Sequence, residues 1–391
     1  MRLRRFEAVT RFLRLIALLT SVASCQTHGP WHVEVVESSH GTGAGAFSSL
    51  VIDQSGNLHL AYSNQARTAL RYAFRAQTEK LWHTTTVDPV GGSFESLAVD
   101  SGGSAHIAYN SPKAIGLHYA FWDGKQWQKL LIDSAKTGHQ TSIQLDSHGN
   151  PRISYYVEEF SDHHPANCLK YAYFDGKTWY IQTVDHRPGT GGWSSIALDR
   201  ADLPYISYSI SAGRLGFAYR DQSKWEHTVA EEWMNPDPGS PDRKRFEESR
   251  GKRYLVSDSS LVIGAEGEPH VAYINGTDRT IVYAWREGTR WRQETVDSVV
   301  GTGADPDQVS LKLDKNGEPH IVYYDSGLGL LKYATRNKKD WHSETIDEGD
   351  SGQYASLCLD GDDQPYVSYY TAASKELRIA HRPSGDSVQN K

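Results

Sequence analysis

Short stretches of alternating hydrophobic and polar or small residues recur along the chain. In one of them, Leu70, Tyr72 and Phe74 are separated by single polar or small residues. A period of two is that of a β-strand with one buried face, whereas an amphipathic helix needs a period of 3.6. Turn signals such as Asp123-Gly124 and the sequence 315–318 (Lys-Asn-Gly-Glu) separate these stretches. The pattern therefore predicts an all-β chain of short antiparallel hairpins.

A phrase of four such strands recurs seven times. It reads Ser-Leu-Ala-Leu-Asp, a turn with Gly, Pro-His-Ile-Ser-Tyr-Tyr, a loop, Leu-Lys-Tyr-Ala-Tyr, a turn, and a strand that begins with Trp. The seven Trp residues are Trp31, Trp82, Trp127, Trp179, Trp225, Trp291 and Trp341. Four antiparallel strands at about 50-residue intervals are typical of a propeller blade. The repeats predict an all-β, seven-bladed β-propeller of four-stranded antiparallel blades.

The phase of the repeat predicts how the ring closes. The first Trp strand, residues 31–36, stands alone at the start, and the last strand, Leu377–His381, is only the third of its blade. We expect strand 31–36 to join the C-terminal blade as its outer strand, because this leaves no open blade edge. The predicted propeller covers residues 31–381 and carries an insertion at 231–256. We expect residues 382–391 to form a disordered tail.

The N-terminal segment has the features of an export signal. Residues 1–14 contain five Arg, an apolar run extends from Leu15 to Ala23, and small residues precede Cys25. The sequence 22–25 (Val-Ala-Ser-Cys) resembles a bacterial lipobox, which implies removal of residues 1–24, lipidation of Cys25 and a tether at 25–30. Ordinary signal cleavage, with Cys25 as a bystander, is the alternative. We expect an exported, lipid-anchored protein, at the outer membrane or cell surface if the source is Gram-negative.

Composition excludes two classes of protein. The 391 residues hold 41 Lys and Arg against 48 Asp and Glu, a formal net charge of −7, without a basic stripe. This balance argues against a general nucleic-acid binder. Three Cys in a chain of this length exclude a disulfide scaffold. We expect a monomer without a cofactor.

One face of the predicted propeller is the candidate ligand face. The loops that enter the inner strands and the loops between second and third strands share it, and the tight turns lie on the other face. Just before the inner strands stand Phe47, Phe94, Gln140, Trp193, Gln308 and Tyr354. The aromatic residues of this set could stack on sugar rings, or they could pack against neighbouring blades and close the central funnel.

Individual residues on that face are further candidates. Glu95 stands where the repeat has Ser, either as a functional carboxylate or as a salt-bridged or solvated one. The loop after Tyr156 offers side chains that suit divalent ions, and nearby loops add two His. These residues are Glu158, Glu159, Asp162, His163, His164, His139 and His186. Since no metal-ligand spacing is present, we expect a solvated loop and no metal site.

The His residues that recur in the repeat are interpreted as packing groups. His59, His106, His270 and His320 are replaced by Arg152, Tyr205 and Tyr366 at the equivalent positions. A metal ligand would not be exchanged so freely.

The repeat, seen best at 310–314 and 319–325, resembles that of bacterial seven-bladed propellers of the broad BNR/sialidase-like superfamily, and of lipoproteins that carry it. The resemblance covers residues 31–381 and implies the fold, but this fold hosts lectins, lyases, hydrolases and scaffolds alike. A sialidase Asp-box would read Ser-x-Asp-x-Gly-x-x-Trp, whereas here the Asp precedes the Gly by about three residues and no Trp follows. This departure argues against sialidase chemistry.

The function hypothesis is a cell-envelope lipoprotein whose loop-bearing face binds a glycan or a protein. Near-equivalent clefts between blades suit weak multivalent binding, and no nucleophile motif appears in context. The predicted ligand-binding residues are Phe47, Phe94, Glu95, His139, Trp193, Asp325 and Tyr354. The alternative is a carbohydrate-active enzyme, a glycoside hydrolase or polysaccharide lyase, with Glu95, His139 and Tyr156 as catalytic candidates.

Overall fold

The molecule is built from β-strands in every part that can be described. The structure, a computed structural model, describes residues 31–38, 44–64, 68–111, 115–135, 137–161, 164–187, 190–210, 214–221, 224–229, 256–276, 278–288, 290–300, 308–337 and 340–382. These ranges contain 28 strands and no helix, and hence no helix long and apolar enough to cross a membrane. The predicted export signal, Cys25, the tether, residues 231–255 of the insertion and residues 383–391 lie outside them.

The strands form seven four-stranded antiparallel sheets, each a blade numbered here in chain order. Blade 1 comprises β2 (Ala44–Ile52), β3 (Leu58–Asn64), β4 (Leu70–Arg75) and β5 (His83–Asp88), and blade 2 comprises β6 (Ser93–Val99), β7 (Ala105–Asn110), β8 (Leu117–Trp122) and β9 (Trp127–Asp133). Blade 3 comprises β10 (Thr137–Leu145), β11 (Pro151–Ser161), β12 (His164–Phe174) and β13 (Trp179–Asp185), and blade 4 comprises β14 (Gly192–Leu198), β15 (Pro204–Ile210), β16 (Arg214–Asp221) and β17 (Lys224–Val229). Blade 5 comprises β18 (Val256–Ile263), β19 (Pro269–Asn275), β20 (Thr280–Glu287) and β21 (Arg290–Ser298), and blade 6 comprises β22 (Val309–Leu313), β23 (Pro319–Asp325), β24 (Leu330–Asn337) and β25 (Asp340–Asp347). Blade 7 comprises β26 (Ser351–Leu359), β27 (Pro365–Thr371), β28 (Glu376–His381) and β1 (His32–Ser38).

The seven-bladed propeller and its closure are confirmed. The inner strands follow one another around the axis, and that of blade 7 contacts that of blade 1. The N-terminal strand β1 pairs with β28 as the outer strand of blade 7, with His32 opposite His381. The observed strand begins and ends one to two residues later than the predicted 31–36. Since one sheet holds both ends of the repeat region, the ring is fastened by backbone hydrogen bonds.

One Ser in each blade connects the inner strands into a closed ring. Its hydroxyl accepts a hydrogen bond from a backbone N–H of the next inner strand, at 3.0–3.1 Å in all seven blades. The pairs are Ser49–Leu97, Ser96–Ile143, Ser142–Ile196, Ser195–Leu261, Ser260–Leu311, Ser310–Leu357 and Ser356–Leu50. The inner strand has a ladder partner on one edge only, so these hydroxyls satisfy N–H groups that would otherwise face the channel.

The repeated Trp residues fill the gaps between blades. In six of them the Trp ring meets, edge to face, an aromatic ring on the third strand of the preceding blade, with centroids 5.0–5.5 Å apart. The pairs are Tyr72–Trp127, Tyr119–Trp179, Tyr171–Trp225, Phe217–Trp291, Tyr283–Trp341 and Tyr333–Trp31. In the seventh gap Trp82 packs in one cluster with Ile379. These contacts bury apolar area between blades, which stabilises the ring as a unit.

Removing one hydroxyl of the inner ring is expected to destabilise the whole propeller. Ser142→Ala leaves the Ile196 N–H without its acceptor at a site largely closed to water, which costs about 1–3 kcal/mol. Denaturant unfolding followed by Trp fluorescence measures this loss. Ser101→Ala, at an exposed turn residue, is the matched control and should change the unfolding free energy by less than about 0.5 kcal/mol. Equal changes in the unfolding free energy of the two variants would show that the inner-ring hydroxyls do not contribute specifically to stability.

Candidate functional site

The two faces of the propeller differ in their connections. The hairpins between first and second strands use one device, an Asp whose Oδ1 accepts the backbone N–H groups two and four residues later. It occurs at Asp53, Asp100, Asp146, Asp199, Asp314 and Asp360. We call this the turn face, and the opposite one, which carries the connections into the inner strands, the loop face. Trp31 and Arg382 lie at the turn-face ends of β1 and β28.

A ring of residues surrounds the axis at the loop face. In each inner strand, one residue donates its N–H to the Ser hydroxyl of the preceding blade. In five blades the residue three positions before it has a positive φ of 51–63°. These five residues are Phe47, Phe94, Gln140, Trp193 and Tyr354. A ladder irregularity accompanies each one. Such a backbone is unfavourable for residues other than Gly, Asn and Asp, and it persists only where surrounding contacts enforce it. The five residues are those that the sequence placed at the funnel, with Gln308 as the sixth.

Three of the aromatic ring residues pack on one another. The Phe47 centroid lies 4.1 Å from that of Phe94 and 4.4 Å from that of Tyr354. Phe47 and Phe94 are only 4 % and 8 % exposed, so their rings chiefly contact neighbouring blades, as in the funnel-closing alternative. Trp193, in blade 4, and Tyr354 are partly exposed. These two are therefore the ring aromatics with surface available to a ligand.

Glu95 is buried within the ring, at 6 % exposure. At the equivalent position two other blades have hydroxyls that donate to the carbonyl of the preceding ring residue, from Ser48 to Tyr354 at 2.8 Å and from Thr141 to Phe94 at 2.7 Å. Glu95 thus stands where those blades have a hydroxyl that bridges two blades.

The other two catalytic candidates lie in the adjacent blade. Residue 139 is in β10, with its side chain outside the described part, and Tyr156 is half-buried in β11. The inner strands β6 and β10 are neighbours, since the Thr141 hydroxyl bonds the Phe94 carbonyl. The backbone therefore places Glu95, His139 and Tyr156 in neighbouring blades 2 and 3. The side chains of Glu159, Asp162, His163 and His164 also lie outside the described part.

Asp325 is a buried loop anchor. It is 1 % exposed and its carboxylate accepts the backbone N–H groups of Val300, at 3.1 Å, and Gly327, at 3.2 Å. These bonds join the turn after β23 to the connection from blade 5.

Between the blades, close to the loop face, lies a set of groups that the sequence analysis did not single out. The fully buried Tyr of the second strand donates its hydroxyl to a carboxylate at the end of the preceding blade's outer strand. We call each such place a seam. The pairs are Tyr62–Glu37, Tyr109–Asp88, Tyr155–Asp133, Tyr208–Asp185, Tyr323–Asp297 and Tyr369–Asp347. The signal was present, because an acidic residue stands six positions after each of these Trp residues.

Each seam carboxylate also meets a cation. The cations are Arg71, Lys129, Lys170, Arg187, Lys332 and Arg378, in the same order. Burial alone would raise the pKa of Asp88, but the Tyr109 hydroxyl, the Val90 N–H and Lys129 together lower it, and Asp185 is lowered in the same way by Arg187 and Tyr208. Asp88 and Asp185 are therefore ionised at neutral pH. A lone buried charge would be very unfavourable, so the cation is required.

The seams differ in how far the cation is exposed. Lys129 and Arg187 side chains are 40 % and 46 % exposed, whereas those of the other four are between 15 % and 26 %. The seams between blades 1 and 2 and between blades 3 and 4 therefore offer a donor to a ligand on the loop face.

The repeated His residues link the turns to the third strands. Nδ1 of His59, His106, His270 and His320 lies 2.5–2.6 Å from a Tyr hydroxyl. In the first three, Nε2 lies 3.2–3.5 Å from a carboxylate near the turn. Where Arg152 replaces His, it bonds the turn residue Asp146 at 2.7 Å. Their interpretation as packing groups is confirmed, and within the described ranges no three His, Cys, Asp or Glu are grouped so as to hold a metal ion.

No protein-family model and no curated protein matches this chain. Among solved structures, AofleA from Arthrobotrys oligospora is similar, at 16 % identity and a TM-score of 0.51, over 82 % of this chain and 90 % of AofleA. A mutant of the Aleuria aurantia lectin in complex with α-methyl-L-fucoside is 13 % identical, at a TM-score of 0.50, over 80 % and 98 %. An intramolecular trans-sialidase from Ruminococcus gnavus is 11 % identical, at a TM-score of 0.47, over 92 % of this chain and 98 % of the trans-sialidase. The first two share the fold, and the third likeness is too low to carry an argument.

Acid is expected to destabilise the propeller in the pH range of its buried His residues. Burial lowers the pKa of His59, His106 and His270 below the ordinary 6.5. Below pH 6.5 the unfolded chain binds more protons than the folded one, so stability is complete above this pH and falls as the pH drops. Unfolding free energies at pH 7.5, 6.5 and 5.5 measure the slope.

The triple variant His59→Gln, His106→Gln, His270→Gln should flatten that slope. His83→Gln is the control, since its side chain is 63 % exposed beside Glu79, and it should keep the wild-type slope. A wild-type stability that is constant between pH 7.5 and 5.5 would contradict the assignment.

Proposed function

We propose that this propeller binds glycans on its loop face, without catalysis. The observation that carries the proposal is the recurrence of a carboxylate beside a cation at the seams, with the cations Lys129 and Arg187 well exposed. The buried carboxylate holds each of these cations in place as a fixed donor for a sugar hydroxyl, and Trp193 and Tyr354 offer rings on which a sugar can stack. Several weak, similar sites on one face gain affinity together for a repetitive ligand.

The similar Aleuria aurantia lectin was solved with a fucoside. At 13 % identity this likeness concerns the fold, so fucosides are included only as members of the test panel. The protein alternative, an envelope partner on the same face, predicts silence on every glycan.

The test is a glycan and polysaccharide panel on residues 26–391, scored for binding and for release of sugar ends. Trp193→Ala should weaken binding roughly 3- to 10-fold, since an aromatic pairing is worth 0.5–1.5 kcal/mol. Trp122→Ala is the matched control, because Trp122 is also partly exposed but lies at the turn-face end of β8. It should bind as the wild type does.

Three outcomes would overturn the proposal. Absence of binding to any glycan would indicate a protein partner. An equal loss of glycan affinity in Trp193→Ala and Trp122→Ala would show that binding is not specific to the loop face. Release of sugar ends that Glu95→Gln abolishes would establish the carbohydrate-active enzyme, with the buried carboxyl as its acid or base.

We further propose that the mature protein is a cell-envelope lipoprotein anchored through Cys25. The support is the lipobox-like sequence 22–25 together with the position of Trp31 at the turn face. Six tether residues reach at most about 20 Å, so a lipid on Cys25 would hold the turn face towards the membrane. The loop face would then point away from the bilayer, towards its ligand.

The anchor is tested by Cys25→Ala in the natural host. The variant should move from the membrane fraction to the soluble fraction and should lose the mass of the lipid. Cys168→Ala is the control, because Cys168 is a buried cysteine of blade 3, and it should stay in the membrane fraction. Membrane association of Cys25→Ala would contradict lipid anchoring at this residue.

A further inference from the structure

Three seams use an arginine as the cation, and they differ at the outer edge of the guanidinium. Arg71 bonds Glu37 with Nε, and its two Nη atoms bond Thr84 and Thr86 at 3.3 and 3.4 Å. Arg378 directs its donors to Asp347, Glu376 and Ser374. In both arginines, hydroxyls or carboxylates of the protein accept hydrogen bonds from the two Nη atoms.

Arg187 has an open edge instead. Nε and Nη2 bond the Asp185 carboxylate, with Nε at 3.0 Å from each oxygen, and Nη2 lies 3.4 Å from the Tyr208 hydroxyl. Nη1 bonds none of the residues that the structure describes, and the side chain is 46 % exposed. The buried Thr190 donates its hydroxyl to the Arg187 carbonyl at 2.6 Å and so fixes the backbone. Asp185 and Tyr208 therefore hold the guanidinium through Nε and Nη2, and Nη1 is the group left open.

A glycine makes room for this arrangement. At the third-strand position where other blades have Arg71, Lys170 or Lys332, blade 4 has Gly216. A Cβ on Gly216 would lie 2.8 Å from ring carbons of Tyr208, so any side chain there would displace the Tyr ring. The cation of this seam accordingly comes from the loop above Asp185 and not from the strand.

Two histidines belong to this seam, since His227 contacts the Tyr208 hydroxyl that Arg187 also contacts and His186 is the neighbour of Arg187 in the chain. Nδ1 of His227 lies 3.4 Å from the Tyr208 oxygen. Because the Tyr208 hydroxyl donates to Asp185 at 2.9 Å, His227 must be the donor in that contact, which leaves its Nε2 as an acceptor in the neutral form. His186 is exposed and precedes Arg187 in the chain. The Asp185 charge is already balanced by Arg187, so protonation of His227 makes the site cationic.

From this geometry we propose that the seam between blades 3 and 4 binds a carboxylate-bearing sugar, with the carboxylate on the open edge of Arg187 and sugar hydroxyls on His186 and His227. The inference rests on the proposed glycan binding and assigns its ligand class at one seam. The open Nη1 group carries part of the guanidinium charge and two N–H donors, and hydrogen bonds of such a charged donor to a carboxylate are stronger than those to a neutral hydroxyl.

The binding is expected to strengthen as the pH falls. Burial lowers the pKa of His227 below 6.5, against the opposing effect of Asp185. The charged or titratable groups around it are Asp185, His186 and Arg187 from blade 3, and Tyr208 and Glu226 from blade 4, where Glu226 is paired with Lys224. Between pH 7.5 and 5.5 the His227 charge grows while a sugar carboxylate stays ionised, so the carboxylate form of the ligand gains affinity.

The probes are tetragalacturonate and its methyl ester, which differ only in the charge of the carboxyl groups, together with the neutral glycans of the panel. Calorimetry on residues 26–391 should show tighter binding of the free acid than of the ester. Arg187→Lys, which keeps a positive charge beside Asp185, should weaken the free acid about tenfold and leave the ester unchanged. Arg71→Lys is the matched control, since its guanidinium edge is covered, and it should bind as the wild type does.

A second variant keeps the test independent of folding effects at Arg187. His227→Gln, which cannot gain a proton, should lose the increase in affinity for the free acid between pH 7.5 and pH 5.5, whatever its affinity at pH 7.5. Thermal unfolding of each variant verifies the fold.

The outcomes separate this inference from the proposed function. Binding of neutral glycans with no preference for the acid over the ester would overturn the carboxylate site and leave glycan binding intact. Equal losses in Arg187→Lys and Arg71→Lys, or an unchanged pH profile in His227→Gln, would reduce the seam to a structural role. Absence of binding to any sugar would overturn both.

Discussion

Closure of seven inner strands around one axis is the constraint on which the structure depends. Each inner strand has a ladder partner on one edge only, and one Ser hydroxyl per blade satisfies an N–H of the next strand. Because the acceptor belongs to the neighbouring blade, every such bond fixes the spacing and height of two blades at once. The ring residues with positive φ lie just before these bonds, so the shape of the loop face near the axis follows from the same constraint.

Two kinds of contact hold neighbouring blades together. Towards the turn face, Trp rings meet aromatic rings, and the gain is burial of apolar area. Towards the loop face, buried Tyr hydroxyls bond carboxylates that need a cation. Each seam is stable only when the Tyr hydroxyl, the carboxylate and the cation are all present, yet the cation need not come from one fixed position of the repeat. Arg187 reaches Asp185 from a loop, and its side chain is more exposed than those of Arg71 and Arg378, which lie on third strands.

The candidate site could be predicted only in part. The funnel residues follow from the repeat, since Phe47, Phe94 and Trp193 occupy one repeat position. Their exposure does not follow, because mutual packing of Phe47 with Phe94 and Tyr354 depends on the distance between blades. Sequence reasoning did not predict the seams, although an acidic residue stands six positions after the Trp in each of these repeats. Its Tyr partner and its cation come from the next blade, or, as with Arg187, from a loop without a counterpart in the other repeats.

By itself the sequence determined the number of blades, their four-stranded order and the fastening of strand His32–Ser38 to Glu376–His381. Period-two alternation and a repeated phrase are local properties, and closure follows from counting strands. The tertiary structure alone decided which polar residues are buried, which hydroxyl bonds which carboxylate, and that Gly216 leaves space for the Tyr208 ring. The buried polar contacts join residues 21 to 320 positions apart and exist only once neighbouring blades are packed, whereas Gly216 and Tyr208 meet across paired strands of one blade.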